Sequence, residues 1–396
     1  MSCDRSQLRT DPDPPMNTQF VPPELLQKAD KVLFVAHLAI GDFTYMEACF
    51  KAFHRAYPHI QIDIWVDEVR RTYDFRQWQA LKKYSLFDWL DAVPYFGKVY
   101  KETYSPFVML RSLWRARSQQ YPLVVSFGLS HRTFYARLIS WIGGNGFLAA
   151  IENRYKPPRR YRPPNIFKQW VFARLNVRLP ERPKNAEHVS EIYAGWFRQL
   201  FGLDISRTDR MPNLAIPPVW NDDATRRLQQ WGISGKDQRQ TRLIFVNPVS
   251  KQDVRCWTVQ KALELIEEMR KLEQWSESDF ILNTVPEQWD ETKAILESHP
   301  LCAKVRLFSA TDNFFQLPAI LSQCDLIISV ETAVMHLANA VGVPVIALMR
   351  QHTPEWMPID TENSRVVMTI AYDDCVQDIS LSRVIETLPN PADMTW

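Results

Sequence analysis

Three groups of residues have the types and spacing to do chemistry. In SVETAVMHLANAVGVPVIAL, residues 329–348, Glu331, Thr332 and His336 interrupt a run of small and apolar residues. In NPVSKQDVRCW, residues 247–257, Ser250, Lys251 and Arg255 share one short loop. In HLAIGD, residues 37–42, His37 opens a loop whose single glycine stands directly before Asp42. An arginine offers a fork to phosphate oxygens, a lysine a point charge and a serine a hydroxyl donor. The free N–H groups at a helix start add to such an anion site. A carboxylate such as Asp42 can take a proton from an attacking hydroxyl, and His37 is a second candidate for that work. Each group also has a plainer role. Thr332 can simply cap, Glu331 and Lys251 can be solvated, His336 can be a hydrogen-bonded core histidine, and Asp42 can merely favour a helix N-terminus.

The elements around these residues narrow the choice. DLIISV, 325–330, reads as a buried strand, followed by a short helix over 333–341. Thr332 stands at its N-cap, Gly342 just past its end, and Pro344 stops it before the strand 345–349. Glu331 and Thr332 therefore fall where the carboxyl end of a strand meets a helix start, the place where open α/β sheets bind ligands. The same pattern recurs. KVLFVA (31–36) is a strand, 37–41 a loop and 42–57 a helix, which Pro58 ends before the strand 60–66. A second series runs through strands at 242–248, 279–283 and 305–308, with helices at 258–272 and near 287–298 and 313–323. The proline-punctuated stretch 206–220 reads as a linker. The expected fold class is α/β: two Rossmann-like domains, 24–205 and 221–372, facing across a cleft. Residues 1–23 are expected to form a disordered tail, and 373–396 a C-terminal segment with a terminal helix.

A chain of 396 residues, 46% hydrophobic and 23% charged, is long enough for two cores and ordinary for a globular protein. Its six cysteines show no metal-ligand spacing, and no apolar run is long enough to span a bilayer. These features imply a cytoplasmic protein with reduced thiols, no cofactor and no metal site. Two nucleotide-type domains invite a dinucleotide-binding reading, with Asp67 placed to hold a ribose. The turn HLAIGD has one glycine where that fingerprint needs three, which argues against it.

The most biased stretch is 154–178, with eight Lys or Arg, no acidic residue, and interleaved aromatics and prolines. Such a segment suits nucleic acid, an anionic membrane surface or an acidic substrate. No nucleic-acid-binding fold signature accompanies it, so no nucleic acid is expected as partner, and nucleic-acid binding through this segment stands as the alternative function. Arg154, Arg159, Arg160 and Arg162 are its candidate contacts to an anionic acceptor, with His37 as another acceptor contact.

From 31 to about 388 the chain resembles glycosyltransferase family 9, the ADP-heptose:lipopolysaccharide heptosyltransferases. VLFVAHLAIGD resembles the first strand and its Gly-Asp turn, PHIQIDIWV the second strand, and NPVSKQDVRCW the phosphate loop. CDLIISVETAVMHLANAVGVPVIALM, followed by TPEWMP, is similar to the donor-site signature. The resemblance implies a GT-B fold and an inverting transfer that needs no metal, with Asp42 as base. It also implies an ADP-sugar donor held by Ser250, Lys251, Arg255, Glu331, Thr332, Ala333 and His336. The implied acceptor is an anionic glycolipid such as the lipopolysaccharide core, which would bring the protein to the inner face of the cytoplasmic membrane. Glu331 stands where the family usually has Asp, and Ala333 where it usually has Gly. A non-catalytic glycan- or nucleotide-binding member is the alternative these changes leave open.

Overall fold

The computed structural model describes residues 19–67, 70–152 and 166–390, the side chains of 166–169 excepted. Its strands form two six-stranded sheets. The first contains β1 (Lys31–Ala36), β2 (Gln61–Val66), β3 (Phe96–Tyr100), β4 (Leu123–Ser126), β5 (Phe147–Glu152) and β6 (Val177–Pro180). The second contains β7 (Leu243–Asn247), β8 (Asp279–Asn283), β9 (Val305–Phe308), β10 (Leu326–Val330), β11 (Val345–Met349) and β12 (Ser364–Met368). All strand pairings among the described residues are parallel. Near-continuous apolar runs suit such strands, because helices cover both faces of the sheet.

The strand orders are β3-β2-β1-β4-β5-β6 and β12-β11-β10-β7-β8-β9, the same doubly wound topology twice. In each sheet the order reverses at the centre, between β1 and β4 and between β7 and β10. A crevice opens there at the carboxyl ends of the strands. The loops after β1, β7 and β10 carry the candidate residues, so the topology delivers all three groups to crevice edges.

Packing fixes the helices that frame the first crevice. Phe34 of β1 is fully buried and meets Phe50, Phe53, Phe127 and Phe197 at ring-centroid distances of 5.1 to 5.8 Å. Those rings lock the helices Ile40–Ala56 and Val189–Phe201 onto the sheet. Truncating such a residue to alanine costs about 3–5 kcal/mol.

One buried apolar cluster runs from Phe34 into Phe314, Phe315 and Leu337 of the second half. Trp89 stacks on Phe314 with centroids 5.0 Å apart, and the Phe314 N–H donates to Asp88 Oδ2 at 2.8 Å. Of the stretch expected as a tail, residues 19–23 belong to the fold. Val21 is buried, and the Phe20 and Val21 N–H groups donate to the Gln199 and Leu200 carbonyls at 2.8 and 3.0 Å. They supply partners for carbonyls that the end of the Val189–Phe201 helix leaves open. No helix among the described residues is long and apolar enough to cross a membrane.

Candidate active site

The helix after β1 begins at Ile40, two residues earlier than its sequence suggests, so Asp42 is its third residue and not its first. From there the carboxylate reaches back: Oδ2 accepts from the Ala39 N–H at 3.0 Å, satisfying a donor the helix start leaves open. Oδ1 accepts from the Tyr193 hydroxyl at 2.7 Å, donated from the Val189–Phe201 helix. Burial raises the Asp42 carboxyl above its usual value. The bonds from Tyr193 and Ala39, and the charge of His37, oppose that rise without cancelling it. Burial beside Asp42 pushes the ionisation of Tyr193 far up, so that hydroxyl remains a donor. The result is a half-buried, oriented carboxylate with raised basicity at the crevice edge.

His37 lies in the same loop, its Nδ1 3.1 Å from the Asp67 carbonyl. Asp67 itself is buried. Its carboxylate accepts from Arg71 at 2.5 and 2.6 Å and from the Tyr135 hydroxyl at 2.8 Å. A carboxylate so engaged is not free to hold a ribose, which removes the last support for a dinucleotide site.

The second half presents its groups on three loop ends. After β7 the chain turns through Asp253–Arg255, closed by the Trp257 N–H on the Pro248 carbonyl at 2.8 Å. Ser250 Oγ donates to the Glu331 carbonyl at 3.3 Å, tying the β7 loop to the end of β10. Glu331 is buried, and its carboxylate is already occupied. Thr353 Oγ1 donates to Oε1 at 2.8 Å, and the Arg350 N–H and Nε lie 3.3 and 3.4 Å from Oε2. Arg255 Nε is 3.4 Å from Oε1, an ion pair without a hydrogen bond. Glu331 thus anchors two guanidinium groups at the mouth of the crevice and is not left as a free acceptor.

Thr332 is the N-cap of the Ala333–Ala340 helix by position, but its hydroxyl makes no capping bond. Thr332 and Ala333 are half-buried at a helix start whose first N–H groups have no partner within the helix. His336 points elsewhere. Its Nδ1 is 2.8 Å from the Tyr45 hydroxyl of the first half, and its ring lies 5.8 Å from that of Trp356. Burial pushes its pKa down to about 3, so it is neutral. With His188 Nε2 2.8 Å from the Met357 carbonyl, it forms a polar joint between the halves.

The two crevices meet at Tyr84. Its hydroxyl donates to the Leu38 carbonyl at 3.0 Å, and Lys251 Nζ lies 5.5 Å from its ring centroid. The structure therefore gathers Asp42 and His37 on one side, and Ser250, Lys251, Arg255, Glu331, Thr332 and Ala333 on the other. Arg154, Arg159, Arg160 and Arg162 lie outside the described residues. Sequence reasoning missed Tyr193 and Arg350. Arg350 follows β11 directly, so the rule that flagged Glu331 at the end of β10 applied equally to it. Tyr193, in a helix far along the chain, carries no signal of its own.

Two doubly wound halves with facing crevices are how GT-B glycosyltransferases are built, and the fold assigns the chain to that class. Within it, the chain belongs to glycosyltransferase family 9 (heptosyltransferase), whose sequence model matches residues 173–381. Solved structures agree in fold. A family 9 glycosyltransferase from Veillonella parvula superposes with a TM-score of 0.67 at 14% identity, covering 90% of this chain and 95% of that one. The ADP-heptose lipopolysaccharide heptosyltransferase II of E. coli gives 0.61 at 16% identity, covering 90% and 96%. The E. coli heptosyltransferase WaaC, solved with ADP-2-deoxy-2-fluoro heptose, gives 0.60 at 15% identity, covering 90% and 98%. No curated protein sequence matches the chain.

Proposed function

We propose that this glycosyltransferase moves a heptose from ADP-heptose onto an anionic glycolipid of the lipopolysaccharide-core type, with inversion and without a metal ion. The observation that carries the reading is Asp42, a carboxylate of raised pKa fixed by Tyr193 and Ala39 opposite a basic cradle. In the step proposed, the acceptor hydroxyl oxygen attacks the anomeric carbon and gives its proton to Asp42. The bond from that carbon to the diphosphate oxygen breaks, and ADP leaves with the electron pair. Attack on the face opposite the leaving group inverts the anomeric centre. Arg255, Lys251, the Ser250 hydroxyl and the helix start at Thr332 and Ala333 receive the charge on the diphosphate. These fixed positive groups do the work a divalent cation does in other transferases. Glu331 keeps Arg255 and Arg350 aimed, and its own charge lowers the cost of placing both side by side.

In this reading residues 221–372 hold the donor, residues 24–205 hold the acceptor, and the arginines of 154–178 meet the acceptor's anionic groups. The protein then works at the inner face of the cytoplasmic membrane. Support for the donor comes from WaaC, which shares the fold and was solved with an ADP-heptose analogue. A thermal-shift panel of ADP-, UDP-, GDP- and dTDP-sugars tests it. Selective stabilisation by ADP-heptose is expected. Preference for another nucleotide overturns the donor assignment, and stabilisation by single-stranded oligonucleotide alone overturns the transferase reading.

A further inference from the structure

The helices Pro106–Arg117, Arg132–Gly143 and Ile166–Ala173 pack side by side on the first half, and each carries large apolar side chains exposed to solvent. On the first, Phe107, Leu110 and Trp114 are 69, 51 and 63% exposed. Their spacing of three and four puts them on one helical face, so the stripe that normally turns inward here turns outward. Tyr73 extends it, its ring centroid 6.0 Å from that of Phe107. Trp170, on the third helix, is 58% exposed. Trp114 and Trp141 meet edge to face at 5.0 Å. Between the helices runs a groove of about 720 Å³, lined by Leu110, Leu113, Trp141 and Trp170 with Arg117, Arg137 and Arg174. Among the described residues, no carboxylate lines it. Arg117 lies 4.9 Å over the Trp141 ring and Arg174 5.9 Å over that of Trp170.

Between residues 103 and 151 the sequence holds five arginines and no Asp or Glu. Arg115 and Arg132 pair with Glu102 and Glu181, and Arg117 and Arg137 border the groove with Arg174. Exposed tryptophans beside arginines, with an apolar groove between them, match the boundary layer of a bilayer. There indole rings sit at the headgroups, guanidinium groups meet phosphates, and aliphatic side chains enter the acyl region. A protein partner would need apolar area with balanced polar groups at the rim, and a single-stranded nucleic acid would not need the aliphatic Leu110 and Leu113.

The geometry points to this face as a docking surface for an anionic phospholipid bilayer, with the groove receiving an acyl chain. It deepens the glycolipid-acceptor reading, on which it rests for its purpose: a chain held here by lipid meets its acceptor where that acceptor is embedded.

The test is co-sedimentation of the full-length protein with phosphatidylcholine vesicles, with and without phosphatidylglycerol. Two double variants accompany it, Leu110→Ser with Trp114→Ser, and Arg111→Gln with Arg137→Gln. All four residues are exposed, so the variants fold. The wild type is expected to bind the anionic vesicles and not the neutral ones. The arginine pair is expected to lose about 25-fold in partitioning, at about five-fold per basic residue at an anionic surface. The Leu-Trp pair is expected to lose roughly ten-fold or more. Transfer to a soluble, lipid-free acceptor should be unchanged in both. No binding of the wild type to anionic vesicles, or equal binding by the variants, overturns the inference while leaving the transferase reading standing. Salt-sensitive oligonucleotide binding lost in the same variants, or a solution dimer that dissociates in the Leu-Trp pair, replaces the bilayer with that partner. Vesicle binding as expected, with no transfer by any form, instead sinks the reading of function.

Discussion

Replacing Asp42 with asparagine separates chemistry from architecture. Asparagine keeps the shape and can still accept from the Ala39 N–H while its amide faces the Tyr193 oxygen, reversing that bond at the expense of the acceptor for the Tyr193 hydroxyl proton. What it loses is the ability to take a proton. A positioned general base is worth about 10²–10⁴ in rate, so transfer should fall by that factor, equivalent to roughly 3–5 kcal/mol in the barrier. Stability should move the other way. Burial holds the Asp42 proton more tightly in the folded chain than in the unfolded one, so ionising it costs folding free energy. That cost is absent below the ordinary carboxylate range and complete once pH exceeds the raised value. An amide at this position escapes it, so Asp42→Asn should match the wild type in acid and exceed it at neutral pH in urea titrations. Tyr193→Phe supplies a control. It removes a bond that favours the ionised carboxylate, so the acidic limb of the kcat/KM profile should move to higher pH. The assay is initial-rate ADP release across a pH series, run beside unfolding curves. Turnover near that of the wild type in Asp42→Asn, or an unmoved acidic limb in Tyr193→Phe, would refute the reasoning and pass the role to His37.

Other perturbations probe the cradle, the joint and the acceptor surface. Transfer should survive excess chelator, whereas Arg255→Ala should raise its barrier by about 3–4 kcal/mol; loss of turnover on chelation, restored by Mg²⁺ or Mn²⁺, would contradict this. Glu331→Gln leaves two guanidinium groups without their counter-charge. Breaking a buried pair costs about 3–5 kcal/mol, and the partial exposure of both arginines brings the expected loss in urea stability to about 2–3 kcal/mol. His336 is held neutral, so its stabilising effect is full above its unfolded pKa of about 6.5 and declines as pH falls toward 3. His336→Gln should flatten that acid loss, read by thermal unfolding from neutral to acidic pH. Neutralising Arg159, Arg160 and Arg162 together should raise the acceptor KM and leave nucleotide affinity unchanged, and added salt should mimic the variant.

The second half was the more legible in sequence because its signals agree. The strands at 279–283, 305–308 and 345–349 carry apolar runs bounded by turn residues, and they appear at those positions. Gly342 takes the positive φ its place after the helix requires. In the first half, β3 contains a glycine and has a single buried residue, β4 has only four residues, and β6 ends in proline. None of these gives a periodic run long enough to separate from a loop. The Pro106–Arg117 helix hides its period because its exposed face is as apolar as its buried one. The cradle shows a different limit. Sequence reasoning placed Glu331 among the groups that hold the donor. The structure gives it Arg350 and Arg255, partners brought close by strand order and not by sequence distance.

The repeated strand order has a consequence for how such a chain changes over time. Each half supplies its own crevice from loops that spring off its own central strands, so residues that choose one ligand are not covalently entangled with those that choose the other. A substitution beyond β1 can retune one specificity without disturbing the backbone that frames the second, provided the Tyr45–His336 and Trp89–Phe314 contacts survive. The span matched by the family's sequence model, 173–381, holds the whole second sheet and little of the first. On the proposed assignment, a change in what is modified and a change in what is spent call for substitutions in different halves.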